Sequence, residues 1–392
     1  MRSFLIGLGA GVVLGYTAIR GREALRDLVK PEPELASDPA AYGSVRRAYM
    51  LAGIARSLAT LAATAYAVAP TLEPTDGTPE SRARRIALVA SGIVATTLLE
   101  LPIDYVEGFV LERRYGLSKQ TADTWLADRA KGLGLSLALT VPLVEALAFA
   151  IDRAPESWPL FATAGTLPLV VLANVVAPTY IAPLFNAFEP IEGDFAHRIR
   201  ALAGRYGAGD ATILRVDMSR QTEKANAYVT GLFGTKRIVI GDTLLDHFEE
   251  RETLFVVAHE LGHYVAADVW RGVAVAMASS AAIFFGSRAI ARRDGESLAT
   301  TAGLARLGYA MSSLGTLAGP VLAAFSRNRE RAADRFAIAA TSDASSGAAA
   351  FRRLRERNMA EDEQPAWMET FFSSHPSLRS RIAALEEAAA NA

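Results

Sequence analysis

Seven apolar blocks, each about as long as a helix that crosses a lipid bilayer, constrain what this chain can fold into. A membrane-spanning helix needs about 20 apolar residues, more than most helices of soluble cores provide. With 51% of its 392 residues hydrophobic, the chain is predicted to be a mainly α, polytopic helical membrane protein. A soluble all-α protein with buried helices is the alternative. The blocks are residues 3–19, 48–71, 86–108, 133–151, 158–178, 271–291 and 302–325.

The first block, 3–19, could instead be a signal peptide. A charged run, 20–23, follows it where a small-residue cleavage site would be expected. Gly7, Gly11 and Gly15 recur every four residues, a spacing typical of closely packed membrane helices. We therefore predict a membrane span, although whether this block truly spans the membrane stays open.

Charge and cysteine content exclude several classes of protein. The formal net charge of −1 gives no indication of nucleic-acid binding. The chain has no cysteine, so it has neither disulfides nor thiolate metal ligands. Lysine and arginine are concentrated in 20–47 and 109–132, which share one membrane face with 179–270 if all seven blocks span. Because basic loops favour the cytoplasmic side, we expect 179–270 and the C-terminus in the cytoplasm.

Three acids interrupt the third block. Glu100, Asp104 and Glu107 are four and three residues apart, so they share one face of a helix. Carboxylates that face lipid are costly, so this face should contact protein or water. We predict a polar, water-accessible chamber among the helices. The alternative is that the span ends early and the acids lie at the membrane interface.

The rest of the chain divides around one long soluble segment, 179–270. It is predicted to contain an amphipathic helix over 195–206, a strand over 212–216 and a β-hairpin formed by NAYVTGL and RIVIGD. Helices follow from Asp242 and over 251–268, and two more are expected over 345–357 and 377–390. The predicted domains are the membrane domain 1–178, the catalytic segment 179–270, a membrane hairpin 271–325 and C-terminal helices 326–392.

The segment HELGH, residues 259–263, carries the chemistry. On a helix, His259 and His263 lie one turn apart on the same face, where two imidazoles can bind one zinc ion. Glu260, beside the first histidine, is placed to take a proton from water. The pattern is rare by chance in a chain with five histidines. The alternative is two unrelated histidines beside an unrelated glutamate.

A catalytic zinc site takes a third protein ligand. The downstream candidates are Glu330, Asp334 and His375. Glu330 and Asp334 lie four residues apart, so one could bind zinc while the other accepts a hydrogen bond from a liganding imidazole. Without a metal site, the same segment would be interpreted as the exposed, charged start of a helix.

These motifs, in this order, resemble those of the membrane-embedded CAAX prenyl proteases, a zinc metallopeptidase family related to the shorter HtpX-type proteases. The resemblance covers most of the chain. The first span is short and glycine-rich, and the charged loop after it has no counterpart that we recognise. The matching segments are LPIDYVEGFVLERRYGLSKQT (101–121), PTYIAPLFNAFEP (178–190), NAYVTGLFGTKRIVIGDTLL (226–245), HELGH, Ser326 to Asp334, and Ser374-His375-Pro376 with Arg381-Ile382.

The resemblance implies a barrel of about seven spans around a chamber, closed at one end by a zincin-like core with a small β-sheet. It assigns one Zn²⁺ per chain to His259, His263 and Glu330, with Glu260 as general base. Asp334 becomes the hydrogen-bond acceptor that supports a ligand. The remaining candidates are His375 for catalysis, and Asn226, Ala227, Tyr228 and Arg381 for substrate binding.

We therefore expect an intramembrane-chamber zinc metalloendopeptidase acting on peptide or membrane-protein substrates. HtpX-like degradation of misfolded membrane proteins is one alternative, and a non-proteolytic chamber or binding protein is another. The expected partners are the substrate and the lipid bilayer, with no nucleic acid and no oligomer implied. The charge bias, modest size and alanine-rich composition indicate a prokaryotic inner or plasma membrane protein, for which prenylated substrates are doubtful.

Overall fold

The computed structural model describes residues 37–74, 78–293 and 296–391. The predicted span 3–19 lies outside these residues. Within them the chain is mostly helical. The helices are α1 (Pro39–Ala63), α2 (Arg82–Tyr105), α3 (Ala122–Arg153), α4 (Trp158–Val176), α5 (Asp194–Arg205), α6 (Asp242–His247), α7 (Glu250–Val265), α8 (Asp268–Ala291), α9 (Thr301–Thr341), α10 (Ala344–Arg357), α11 (Ala366–Phe371) and α12 (Leu378–Ala390).

Six helices in the described part of the chain are long and apolar enough to cross a membrane. Helices α1, α2 and α4 contribute to three of them and continue through π-helical and other short turns. The other six predicted blocks fall within these helices, which confirms the polytopic helical architecture. The candidate spans are Pro39–Leu72, Arg82–Arg114, Ala122–Arg153, Trp158–Leu184, Asp268–Ala291 and Thr301–Thr341.

Side-chain caps define where several of these long helices begin. The hydroxyl of Thr121 accepts a hydrogen bond from the amide of Thr124, and that of Thr300 accepts one from the amide of Gly303. Such caps satisfy amide groups that have no partner inside the helix. Many large apolar side chains on the helices stay exposed, as in Leu317 and Val321 of α9, which fits a surface solvated by lipid.

The acids of the third predicted block pair with basic residues of neighbouring helices. These pairs are Arg56–Glu100 at 2.5 Å, Arg46–Glu107 at 2.9 Å and Arg129–Asp104 at 3.8 Å. Glu100 and Asp104 also line an open cavity of about 700 Å³ between α2 and α3. The acidic face therefore contacts protein and a polar cleft, as the sequence predicts.

A small mixed sheet precedes the HELGH helix. Its strands are β1 (Phe188–Pro190), β2 (Thr212–Val216), β3 (Ala227–Thr230) and β4 (Arg237–Gly241), in the order β1-β2-β4-β3. Strands β3 and β4 are antiparallel, which confirms the predicted hairpin, and β2 runs parallel to β4. Strand β3 lies at the edge, so one row of its backbone groups is not used by the sheet.

The sheet and the helices packed around it enclose the core that positions the site. Ile199 of α5, Ile238 of β4, Phe255 of α7, Phe351 of α10 and Leu385 of α12 are all almost fully buried in one cluster. Because one side of α7 is fixed in this core, its other side is held in a defined orientation.

Two helix boundaries differ from the predicted ones. The helix predicted over 251–268 ends at Val265, because Ala267 adopts a left-handed conformation (φ 53°) and α8 starts anew at Asp268. The last predicted span, 302–325, does not end near 325, since α9 continues to Thr341. One unbroken helix thus carries both the apolar segment and Glu330.

Candidate metal centre

The two histidines of HELGH project from α7, one turn apart. Their rings meet edge to face with centroids 5.0 Å apart. His259 is buried and His263 partly exposed. The opposite side of α7 carries Val257 and Leu261, which are fully buried. This division into a core side and a polar side is why the imidazoles point together into one site.

Helix α9 brings Glu330 to both imidazoles. The Nε2 atom of His259 lies 3.4 Å from Glu330 Oε2, and that of His263 lies 3.4 Å from Oε1. The close approach of the helices depends on Gly262, where an added Cβ would lie 3.0 Å from the Cα of Ala333. Glycine at this position therefore lets α7 and α9 come close enough to form the site.

The arrangement of these three side chains fits a bound metal ion. One ligand atom from each lies within 4.8 Å of the others. A tetrahedral zinc ion that binds its ligands at about 2.1 Å holds two of them about 3.4 Å apart, which matches the nitrogen–oxygen distances. In addition, Glu330 Oε2 is buried without a hydrogen-bond partner. A metal ion would satisfy this otherwise costly buried atom.

The electrostatics of the site also favour a cation. Burial by itself would lower the pKa of His259, but the carboxylates of Asp334 and Glu330 beside its ring nitrogens outweigh burial and raise the pKa to about 9. Burial would also lower the pKa of His263, but hydrogen bonds to Glu330 and Asp268 outweigh it and raise this pKa above the usual value. The carboxylates thus stabilise positive charge at this position.

Asp334 supports His259 from the side away from Glu330. Its Oδ1 atom lies 2.9 Å from His259 Nδ1. Arg381 of α12 donates to the same carboxylate, with Nε 2.9 Å from Oδ2. Its guanidinium also stacks over Phe351 and lies 3.4 Å from Glu330 Oε2. Arg381 therefore binds Asp334 and Glu330, the two acids next to His259. Its predicted contact with substrate stays a prediction.

Asp268 holds His263 in the same way, a contact that the sequence analysis missed. Its Oδ2 atom lies 2.9 Å from His263 Nδ1, while Oδ1 accepts a hydrogen bond from Arg329 Nε at 2.6 Å. Helical spacing gave no signal for this contact, since residues five apart lie on different sides of a regular helix. The turn at Ala267 brings them together.

Glu260 lies between the histidines and the edge strand β3. Its side chain is partly exposed. Its carboxylate accepts a backbone hydrogen bond from Val229, but removal from water has the larger effect and raises its pKa. A carboxylate whose pKa is raised holds a proton more readily, as a general base requires.

The predicted substrate-binding residues lie on this strand. Asn226 is exposed, and its carbonyl pairs with the amide of Gly241. Ala227 is buried on the core side, whereas Tyr228 packs on the other face of the sheet. Since Asn226 and Tyr228 direct their backbone groups to β4, alternation along the strand leaves those of Ala227 and Val229 facing outward.

His375 approaches the site from the loop between α11 and α12. Its side chain is 62% exposed, and Nε2 lies 3.3 Å from Glu330 Oε1. Arg327 fixes the end of α11 and this loop by donating to the carbonyls of Glu369 in α11 and Ser373 in the loop, at 2.6 and 2.8 Å. His375 was one of the three candidates for the remaining ligand. The structure brings it beside Glu330 from the solvent side.

The fold and this site, taken with the comparisons that follow, define a membrane-embedded metallopeptidase. The model of peptidase family M48 matches residues 192–389. A second model, described as the CAAX prenyl protease N-terminal region with five membrane helices, matches residues 41–187. The chain therefore belongs to peptidase family M48, and within it to the CAAX prenyl protease type.

Individual relatives agree with this assignment. The chain is 30% identical to an uncharacterized metalloprotease, YhfN, of Bacillus subtilis over 73% of this chain and 70% of the relative. It is 30% identical to a CAAX prenyl protease 1 homolog of Oryza sativa subsp. japonica over 77% and 73% of the two chains. CAAX prenyl protease 1 of Saccharomyces cerevisiae is 36% identical over 43% of this chain and 38% of its own length.

A solved structure has the same fold. The crystal structure of S. mikatae Ste24p superposes with a TM-score of 0.77, covers 97% of both chains and is 23% identical in sequence. The likeness therefore includes the membrane helices as well as the sheet and the helices around the metal centre. The chain is an integral membrane metalloprotease.

Proposed function

We propose that the chain is a zinc metalloendopeptidase that hydrolyses peptide bonds of peptide or membrane-protein substrates entering a chamber among its helices. The observation that carries the proposal is that His259, His263 and Glu330 converge on one point. Glu260 lies between this point and the unpaired edge of strand β3. Zinc is the metal favoured by two imidazoles and one carboxylate in a site with an open position.

The residues of the chain divide the reaction among them. When bound by His259, His263 and Glu330, a zinc ion supplies Lewis acidity that lowers the pKa of water and polarises a carbonyl group. Glu260 takes the proton from the attacking water and passes it to the leaving amine. Since the carboxylate is partly buried and its pKa is raised, it can both accept and release this proton.

Strand β3 is proposed to hold the substrate. The outward-facing backbone groups of Ala227 and the carbonyl of Val229, whose amide already donates to Glu260, can pair with an extended peptide, which adds a strand to the sheet. The bound peptide would then lie along α7, next to Glu260. Hydrogen bonds between backbones depend little on the side chains of the substrate, so we expect the protein to accept many peptide sequences. The exposed side chain of Asn226 is proposed to contact the substrate at one end.

His375 is proposed to stabilise the negative charge that develops on the carbonyl oxygen. Its exposed imidazole lies on the solvent side of Glu330, 3.3 Å from Oε1, where a substrate would enter. A positioned donor at this point stabilises the transition state more than the ground state. We retain Arg381 as a second candidate for this role, although its guanidinium already binds Asp334.

The positive-inside bias supports a cytoplasmic location of this site in a prokaryotic inner or plasma membrane. The polar cavity of about 700 Å³ lined by Glu100 and Asp104 is consistent with a hydrated route to the site. The match to the five-helix N-terminal model favours the CAAX type over a shorter HtpX-like protease, and the names of the relatives make prenylated CAAX peptides substrates worth testing.

The test uses the full chain purified in detergent and an unmodified fluorogenic peptide. Cleavage should require zinc, stop in the presence of a chelator and resume when zinc is restored. Glu260→Gln should bind zinc like the natural protein while cleavage falls by a factor of about 10² to 10⁴. Cleavage that persists in Glu260→Gln would overturn the mechanism.

Two further outcomes separate the alternatives. A zinc-loaded natural protein that cleaves neither generic nor prenylated peptides would favour a non-proteolytic chamber or binding protein. Cells that carry the natural protein or Glu260→Gln can also be compared by mass spectrometry of their membrane peptides. Products that come only from misfolded membrane proteins would favour HtpX-like quality control.

A further inference from the structure

The carboxylate of Asp268 joins two groups of the metal centre that come from different helices. Its Oδ2 atom is 2.9 Å from Nδ1 of His263, and its Oδ1 atom is 2.6 Å from Nε of Arg329. Each oxygen thus has its own partner. An acceptor at Nδ1 favours the ring proton on that nitrogen, which leaves Nε2, the atom that faces Glu330, free to bind a metal ion.

The path of the chain makes this contact possible. On a continuous helix, residues five apart are rotated by roughly 140° from one another, so their side chains would not meet. Here the helix breaks at Ala267, whose φ of 53° lies in the left-handed region. A residue other than glycine is rarely held there without compensation, and such positions concentrate at functional sites. The break turns Asp268 back towards the second histidine.

Arg329 fixes the orientation of the Asp268 carboxylate. The two side chains are only 19% and 13% exposed, so solvent screens their interaction little. Arg271 also approaches Asp268, but at 3.5 Å and with half of its side chain exposed. Arg329 directly precedes Glu330 in α9. The same turn of α9 therefore supplies one ligand and, through Asp268, sets the direction of another.

We propose that Asp268 and Arg329 are positioning residues that fix the imidazole of His263 for metal binding. The proposal rests on the zinc site of the proposed function. It gives His263 the kind of support that Asp334 and Arg381 give His259, although Asp268 comes from α8 and its partner from α9. Both imidazoles are then held by an aspartate that is itself held by an arginine.

Metal affinity provides a test that does not depend on activity. Zinc binding by the full chain in detergent is measured by competition with a chromogenic chelator. Loss of a group that orients a ligand typically weakens binding by a factor of about 10 to 100. We expect a loss in this range for Asp268→Ala and about tenfold for Arg329→Gln. Arg329→Lys should recover part of it, since lysine keeps the charge but not the fork-shaped donor.

A matched control and a second readout separate positioning from general damage. Arg331→Gln removes the same charge two residues along α9 from an exposed side chain and should bind zinc normally. The visible absorption spectrum of the Co²⁺-loaded protein should change in Asp268→Ala and Arg329→Gln but not in Arg331→Gln. Thermal unfolding of the metal-free variants identifies any that fail to fold, and Asp268→Asn then replaces Asp268→Ala.

The outcomes distinguish this proposal from the proposed function. If folded Asp268 and Arg329 variants bind zinc as tightly as the natural protein and give the same Co²⁺ spectrum, the positioning role is wrong while the zinc peptidase stands. If the natural protein itself binds no zinc, the proposed function fails first. Weakened binding in the Asp268 and Arg329 variants, with normal binding in Arg331→Gln, supports the positioning role.

Discussion

Arg381 of α12 and Asp334 of α9, 47 residues apart in the chain, form a two-pronged salt bridge, with Nε 2.9 Å from Oδ2 and Nη2 2.6 Å from Oδ1. Asp334 Oδ1 also lies 2.9 Å from Nδ1 of His259. The C-terminal helix α12 is therefore connected, through one carboxylate, to the first histidine of HELGH. Besides packing its apolar residues in the core, α12 thus takes part in the metal centre.

Replacing Arg381 by leucine should lower the free energy of unfolding of the metal-free protein by about 3–5 kcal/mol, because Asp334 keeps its charge in a largely buried position without the guanidinium that neutralises it. Zinc affinity should fall as well, since Asp334 is no longer oriented. Chemical unfolding in detergent measures the first effect. Arg379→Leu is the matched control, because its side chain lies on the same helix, is 62% exposed and pairs with an exposed glutamate; it should cost no more than about 1 kcal/mol. Equal costs for the two variants would contradict the prediction.

Gly262→Ala should separate the two helices that carry the ligands. The added Cβ would lie 3.0 Å from Ala333 Cα and 3.2 Å from Phe336 Cδ1, so α9 must move away from α7. Such overpacking costs about 1–3 kcal/mol, and zinc affinity should fall because Glu330 moves with α9. Gly272→Ala in α8 is the control, since nothing lies within 4 Å of its added Cβ. Chelator competition on both variants checks the result, and normal zinc affinity in Gly262→Ala would show that the spacing of α7 and α9 is adjustable.

The start of α10 should lose stability on acidification through Asp343. Its Oδ1 atom accepts a hydrogen bond from the amide of Ser346 at 3.0 Å. Burial pushes the pKa of Asp343 upward, but hydrogen bonds from Ser346 and Ser345 outweigh it and hold the pKa below its usual value. A carboxylate with a lowered pKa stabilises the fold above its unfolded-state pKa of about 3.9, and this contribution disappears as the pH falls through the folded-state value.

Asp343→Ala should therefore cost about 1 kcal/mol at neutral pH, the usual value for loss of a helix cap, and less as the pH approaches 3. Unfolding followed by circular dichroism at several pH values measures the difference between the two proteins. Asp343→Asn is the control, because it keeps the capping oxygen without the charge and should show a smaller dependence on pH. A constant difference between the natural protein and Asp343→Ala over this range would refute the prediction.

The membrane helices contain a buried ion pair, Arg85–Glu145, and replacing only one of its two residues should destabilise the fold. Glu145 of α3 is buried and accepts hydrogen bonds from Arg85 at 2.8 and 2.9 Å. Glu145→Leu leaves the guanidinium of Arg85 without its main partner, and we expect a loss of about 3–5 kcal/mol of unfolding stability. Replacing both residues by leucine should cost less than either single change. Thermal unfolding of the four proteins in one detergent completes the cycle, and additive losses would mean that the pair does not interact.

Much of the fold could be predicted because its signals are local. Apolar length located six of the described spans, alternation located the hairpin of β3 and β4, and helical spacing placed His259 and His263 on one face. Glu330 and Asp334 were likewise found by their separation of four residues. Strand β1 was missed, since three residues that end at Pro190 carry no alternating pattern of their own.

What could not be predicted depends on how separate elements meet. The role of Asp268 requires the left-handed turn at Ala267, and alanine gives no sign of such a turn in the sequence. The acids Glu100, Asp104 and Glu107 could be assigned to one face of a helix, whereas the arginines that neutralise them lie on other helices and have no fixed spacing from them. Arg381 was expected at the substrate because it follows a family motif, but its guanidinium binds Asp334, which sequence spacing cannot show.

The continuity of α9 has a mechanical consequence. Its 41 residues give a rod about 60 Å long at a rise of about 1.5 Å per residue, with the apolar block 302–325 in its first part and Glu330 beyond that block. Pro320 lies within it, ten residues before Glu330, where a missing backbone hydrogen bond makes bending easier. Because the helix is continuous from its apolar part to Glu330, a change in the tilt of the apolar part would also displace the carboxylate that faces the two histidines.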